Sequence, residues 1–187
     1  MRGNGVVCAT FDKGDAAGLE YCRNTAPGVA AVAIIGDSHA SAASEGIAEM
    51  LARWHIGTLV IGAPGCAPLM NAPRDAAAGK SSECQTKMRA LYSLLAGRAE
   101  IRHVMIVSRG AYYIEGAATG KVERRLFNQP RVRPESFTAG LQMLIDRLTA
   151  AGKQVTLLME VPDFDVHPGR CVPRPLPETV ARSEEHT

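Results

Sequence analysis

The sequence lacks the ~18-residue apolar run that a membrane-spanning helix requires; its longest uncharged apolar stretch, Ala26 to Gly36, is too short. The N-terminal "MRGNGVVCATF" has no apolar core of the kind a signal peptide carries. As given, the chain is expected neither to span a membrane nor to bring its own export signal. Charge of one sign is scarce as well. A formal net charge of +2 is too small to mark a nucleic-acid partner. The local group Lys121, Arg124, Arg125, Arg131 and Arg133 lies in a Pro-containing, irregular stretch and reads as a solvated loop. The phosphate-cradling patterns GxGxxG and GxxxxGK[ST] are absent, which argues against a nucleotide site. There is no CxxC and no histidine at zinc spacing from a cysteine, so neither a metal nor a cofactor is expected.

What is present fits one soluble domain. The chain has 187 residues, 46% of them apolar and 21% charged, enough to bury a sizeable core. Its five cysteines form two local pairs. Cys8 and Cys22 flank a short polar segment, and Cys66 and Cys84 flank another rich in Pro, Gly and Ala. Two staples across weakly structured segments are what an oxidising compartment favours, each worth about 3 kcal/mol on chain-entropy grounds. Reduced thiols in a cytosolic protein are the alternative. Cys171 is left without a partner.

Hydrophobic periodicity orders the rest. Residues 1–30 read as an irregular segment, and a domain follows over 31–187. "AVAIIG" (31–36), "IGTLVIG" (56–62), "IRHVMIVS" (101–108) and "KQVTLLMEV" (153–161) read as buried strands. A helix after the first carries Ala40, Ala43, Ile47, Met50, Leu51 and Trp54 at helical spacing. Residues 63–83 read as a loop. Ser81 or Ser82 would cap a second helix with Cys84, Met88, Leu91 and Leu95 on one face. A polar loop spans about 109–133. Pro134 then opens a third helix with Phe137, Leu141, Leu144, Ile145 and Leu148 inward, which Gly152 ends. The β-α-β-α-β-α-β order predicts an α/β fold, a three-layer α/β/α flavodoxin-like arrangement with a parallel sheet. Such folds bind ligands at the carboxyl ends of the strands.

At that end of the first strand stands Gly36-Asp37-Ser38-His39. A nucleophilic serine needs an exposed position, a base within reach and donors for the developing oxyanion. A strand-to-helix turn supplies the exposure and the free N–H groups. Asp37 and Ser38 are also good helix caps, so local chemistry leaves a capped turn and a nucleophile both open. Asp37 is expected to order the backbone N–H groups of the turn. His39 is expected to shape the site, since helix neighbours point about 100° apart. His55 and His103, at strand starts, are expected to be structural. Tyr112 and Tyr113 fit either a sugar site or loop packing.

"GDSHA" after a buried strand resembles the first motif of SGNH (GDSL-like) hydrolases, and more closely the SGNH domains attached to membrane acyltransferase-3 proteins. Gly65-Cys66-Ala67-Pro68 after the second strand, Glu160-Val161-Pro162 after the fourth, and Cys171 beyond it extend the resemblance over about residues 30–175. The resemblance implies a periplasmic or otherwise extracytoplasmic domain tethered to a membrane domain. It further implies transfer or hydrolysis of O-acyl, usually O-acetyl, groups on cell-surface polysaccharide. A membrane acyltransferase domain would be the acyl donor and polysaccharide the acceptor, with no nucleic-acid partner. Ser38 would be the nucleophile and its N–H one oxyanion donor. The loop around Gly65 would supply another, and Arg109 or the Gly110 N–H would stand in for the family's Asn in "VSRGAYY" (107–113).

One family motif is missing. DxxH, which carries the catalytic Asp and His, occurs nowhere; "DFDVH" (163–167) and "SEEH" (183–186) lack its spacing. Together with the unpaired Cys171 and the absent last strand, this predicts a chain that stops short of its domain's natural end and is inactive, or nearly so, alone. A catalytically inactive remnant or carbohydrate-binding module of the same fold is the competing expectation.

Overall fold

The structure, a computed structural model, describes residues 6–7, 19, 21–25, 30–71, 80–115 and 132–158. Six strands form one sheet: β1 (Val6–Val7), β2 (Tyr21–Asn24), β3 (Ala30–Gly36), β4 (Gly57–Gly62), β5 (His103–Val107) and β6 (Gln154–Leu158), in the order β1-β2-β4-β3-β5-β6. Strands β4, β3, β5 and β6 are parallel, while β2 runs antiparallel to β4 and β1 antiparallel to β2. Four helices are described: α1 (Ser38–Ala52), α2 (Lys80–Ala96), α3 (Gly110–Glu115) and α4 (Pro134–Ala150).

The apolar runs of β3, β4 and β5 become parallel strands because both faces of each are covered; β6, expected to be a buried strand, is instead an edge strand among the described residues, with Leu157 and Leu158 exposed. Ala33, Ile35, Leu59, Ile61, Val104 and Ile106 face α2 and α4, whose Met88, Leu91, Leu95, Leu144 and Leu148 complete the larger core. Ile34, Val60 and Val107 turn the other way, onto Ala40, Ala43 and Ile47 of α1. This alternation is the period-2 pleat, apolar on both sides.

Four expectations about individual elements are corrected. Residues 1–30 are not wholly irregular, since Val6–Val7 and Tyr21–Asn24 extend the sheet by two antiparallel strands. The polar loop after β5 begins with the helix α3. Helix α2 starts at Lys80, so Ser81 and Ser82 lie inside it rather than capping it. On α1, Met50 and Trp54 are exposed, Trp54 by 75%: Met50 lies about 200° around the helix from the buried Ala48, and Trp54 falls past the helix end at Ala52, where the chain turns away through Arg53 to His55. At the amino edge, the buried Lys153 donates from Nζ to the carbonyls of Arg98 (2.5 Å) and Ile101 (2.9 Å). Its charge is thereby spent on structure.

The chain leaves β3 through α1 to β4 on one side, then crosses through α2 to β5 on the other. Strand order therefore reverses at β3. The carboxyl ends of Gly62, Gly36, Val107 and Leu158 stand in register there, at the position where doubly wound sheets hold their ligands.

Candidate functional site

The turn after β3 is built on Gly36. Its φ of +151° suits glycine, and a Cβ there would overlap the Val107 carbonyl and meet Ala40 Cβ at 3.0 Å. Only a residue without a side chain lets β3 pass this close to β5 and enter α1 immediately.

Asp37 follows, 1% exposed, and is the N-cap of α1. Its Oδ1 accepts from the His39 N–H at 2.8 Å. Its Oδ2 accepts from Ser108 Oγ at 2.9 Å and from the Arg109 N–H at 3.0 Å. One carboxylate thus satisfies an orphan donor of the helix and ties the ends of β3 and β5 across the reversal in strand order. A buried carboxylate is tolerable only with such a set of donors. Asp37 thereby accepts from two backbone N–H groups, those of His39 and Arg109. His39 Nδ1 lies 3.6 Å from Asp37 Oδ1, with the ring partly exposed.

Ser38 is the first residue of α1 and is exposed. With Asp37 as the cap, the serine's hydroxyl is left uncommitted to capping, and among the described residues none hydrogen-bonds it. Of the described histidines, only His39 lies at this edge. His55 and His103 stand at the amino ends of β4 and β5, as expected.

The loop after β4 is the second wall. Its Ala63 N–H donates to the Gly36 carbonyl at 3.2 Å. Cys66 is buried and disulfide-bonded to Cys84 of α2, with Cα atoms 5.3 Å apart. The Met70 N–H donates to the Gly140 carbonyl of α4 at 3.0 Å. Between these anchors Gly65 is exposed with φ +71°. Removing the staple in a Cys66→Ala/Cys84→Ala variant should cost about 3 kcal/mol, from a sequence separation of 18 residues. Thermal unfolding should show it as a drop of roughly 6–12 °C. Cys22 is also disulfide-bonded, and its expected partner Cys8 lies outside the described residues.

The third wall differs from expectation in detail. The Arg109 N–H is engaged by Asp37, and the Gly110 N–H donates to the Ser108 carbonyl at 3.0 Å. Neither amide is therefore open as an oxyanion donor. Ser108, which sequence reasoning passed over, is the residue that meets Asp37. A hydroxyl directly after a buried strand, level with the Gly-Asp turn, was the available clue. Tyr113 stacks on Phe137 with ring centroids 6.4 Å apart, which favours packing over a sugar platform. Glu160, Val161, Pro162, His167, Cys171 and His186 lie outside the described residues.

Among the described residues no group of three or more His, Cys, Asp or Glu side chains could hold a metal ion, and no helix is long and apolar enough to cross a membrane. No curated protein and no solved structure matches the chain. The family described as "SGNH domain (fused to AT3 domains)" matches over residues 7–187. This family is of acyltransferase and esterase type. With the Gly-Asp-Ser-His turn at the carboxyl end of β3 and the match running nearly end to end, the chain belongs to the SGNH domains of the kind fused to AT3 domains.

Proposed function

We propose that this domain moves or hydrolyses O-acyl groups, O-acetyl above all, on cell-surface polysaccharide through an acyl-enzyme on Ser38. The observation that carries this reading is the exposed Ser38 at the head of α1, beside a buried Asp37 that takes over the capping and locks β3 to β5. Ser38 Oγ attacks the ester carbonyl carbon as its proton passes to a general base. The tetrahedral oxyanion is met by the Ser38 N–H, one of the orphan donors of the helix, and by the loop at Gly65. Collapse breaks the ester C–O bond and protonates the departing alcohol. A sugar hydroxyl or water, losing its proton to the same base, then attacks the acyl-serine carbonyl; the acyl–Oγ bond breaks, the acyl group leaves on the acceptor and the proton passes from the base to Ser38 Oγ. His39 shapes this pocket from the adjoining helix position, and Arg109, just past the end of β5, borders it.

The disulfide between Cys66 and Cys84 supports an extracytoplasmic setting. The family's fusion to AT3 domains supports a membrane acyltransferase as donor, with polysaccharide as acceptor. A second reading, a carbohydrate-binding module without chemistry, is favoured by one observation: among the described residues nothing hydrogen-bonds the Ser38 hydroxyl. A fluorophosphonate probe separates the two. On the full-length gene product, labelling is expected and should vanish in Ser38→Ala. No labelling favours the binding module, and labelling that survives the substitution removes Ser38 from the nucleophile's role.

A further inference from the structure

Arg23 lies on β2, opposite Val60 of β4. Val60 faces α1, and Arg23 reaches across to the same helix. Its Nη2 donates to Ser44 Oγ at 3.0 Å, Ser41 Oγ at 3.3 Å and the Ser41 carbonyl at 3.4 Å. Ser44 is itself 1% exposed and donates to the Ser41 carbonyl at 2.7 Å. A buried hydroxyl and a helix carbonyl therefore fix one end of the guanidinium. Arg23 as a whole is exposed, and each of these three hydrogen bonds runs through Nη2, none through Nη1 or Nε.

The placement is electrostatically odd. Among the described residues no carboxylate stands within ion-pair distance of Arg23. The cation lies near the N-terminal half of α1, where the helix dipole is already positive, and the first turn of α1 carries no acidic residue. Nearby Asp37 is committed to His39, Ser108 and Arg109. A guanidinium held at Nη2, with no carboxylate beside it among the described residues and near a positive helix end, attracts an oxyanion, and its Nη1–Nε edge has the fork geometry for one. Ser41 lies one turn along α1 from Ser38, about 4.5 Å of helix rise, a distance that one sugar unit spans.

We propose that Arg23 is the anion-recognising residue of the acceptor subsite, so that the polysaccharide handled at Ser38 carries an oxyanion, as a sugar carboxylate or a phosphate. The inference rests on the acyl-transfer reading only for the word "acceptor"; the binding site itself does not require the chemistry.

The test is equilibrium binding at low salt, on the full-length gene product, of three probes of equal length: an oligogalacturonide, a ribitol-phosphate oligomer and a neutral malto-oligosaccharide. At least one anionic probe should bind about tenfold more tightly than the neutral one, and which one does so identifies the source of the oxyanion. Arg23→Gln should erase that preference while leaving neutral binding in place. Arg23→Lys, which keeps the charge but loses the fork, should retain only part of it; it also serves if the Gln variant fails to fold. Equal binding of all three probes, or a preference that survives in the folded Gln and Lys variants, overturns the proposal. Ser38→Ala should keep the full preference. The preference without fluorophosphonate labelling would end the nucleophile reading and leave the subsite standing; labelling without the preference would do the reverse.

Discussion

Gly36→Ala is expected to unfold the domain or lower its melting temperature by about 10 °C or more, through a cost of roughly 4 kcal/mol or above. The added methyl would occupy the place of the Val107 carbonyl. That obstacle is backbone, held in the parallel ladder in which Gly36 and Val107 pair, so no rotamer change relieves it. The φ of +151° adds strain for any L side chain. Gly65→Ala is the matched comparison. Gly65 also has a positive φ, +71°, but no atom lies within 4 Å of its would-be Cβ. It should cost only the left-handed penalty of about 1–2 kcal/mol, a shift of a few degrees. Thermal unfolding of the two variants side by side measures how much of the turn's demand for glycine is clash and how much is backbone conformation.

Ser38→Ala is expected to reduce turnover of an O-acetyl ester by the full-length gene product by at least about 10³-fold, the scale on which nucleophile loss is felt in acyl-enzyme catalysis. Stability should change by no more than about 0.5 kcal/mol. The pairing of these effects is the informative part. A serine acting as a helix cap would cost about 1 kcal/mol on truncation, but Asp37 already fills that position. A large loss of turnover with an unmoved melting temperature therefore separates chemistry from capping. Unchanged turnover, or a clear fall in stability, would return Ser38 to a structural role.

Much of this arrangement was legible in the sequence. Strands β3, β4 and β5 fall in near-continuous apolar runs and β6 in the apolar-rich "VTLLMEV", and the helices between them carry their buried residues at i, i+3 and i+4, so periodicity alone orders β3 to β6, though not the exposure of β6. The candidate site was legible because Gly-Asp-Ser-His interrupts an apolar run, and the Cys66–Cys84 staple because its cysteines bracket a Pro- and Gly-rich stretch. The antiparallel strands were hidden for physical reasons. Val6–Val7 is two residues long, and "YCRN" is only four, too short for the alternation of its Cys22 and Arg23 across the sheet to stand out. Helix α3 is a single short run, Gly110–Glu115, too brief for a 3.6-residue period to stand out. Trp54 fits the spacing of α1 but falls beyond its end, where periodicity no longer applies. The partnership of Asp37 with Ser108 joins residues far apart in sequence, so only the order of the strands brings them together.

The most direct test is to look for the acyl-enzyme itself. The full-length gene product would be mixed with an activated acetyl ester, quenched in acid during turnover and digested, and the peptide containing Ser38 weighed. The predicted result is a peptide heavier by one acetyl group, with fragmentation placing the group on Ser38 and the adduct missing in Ser38→Ala. Steady consumption of the ester with the Ser38 peptide unmodified at every quench time would contradict it.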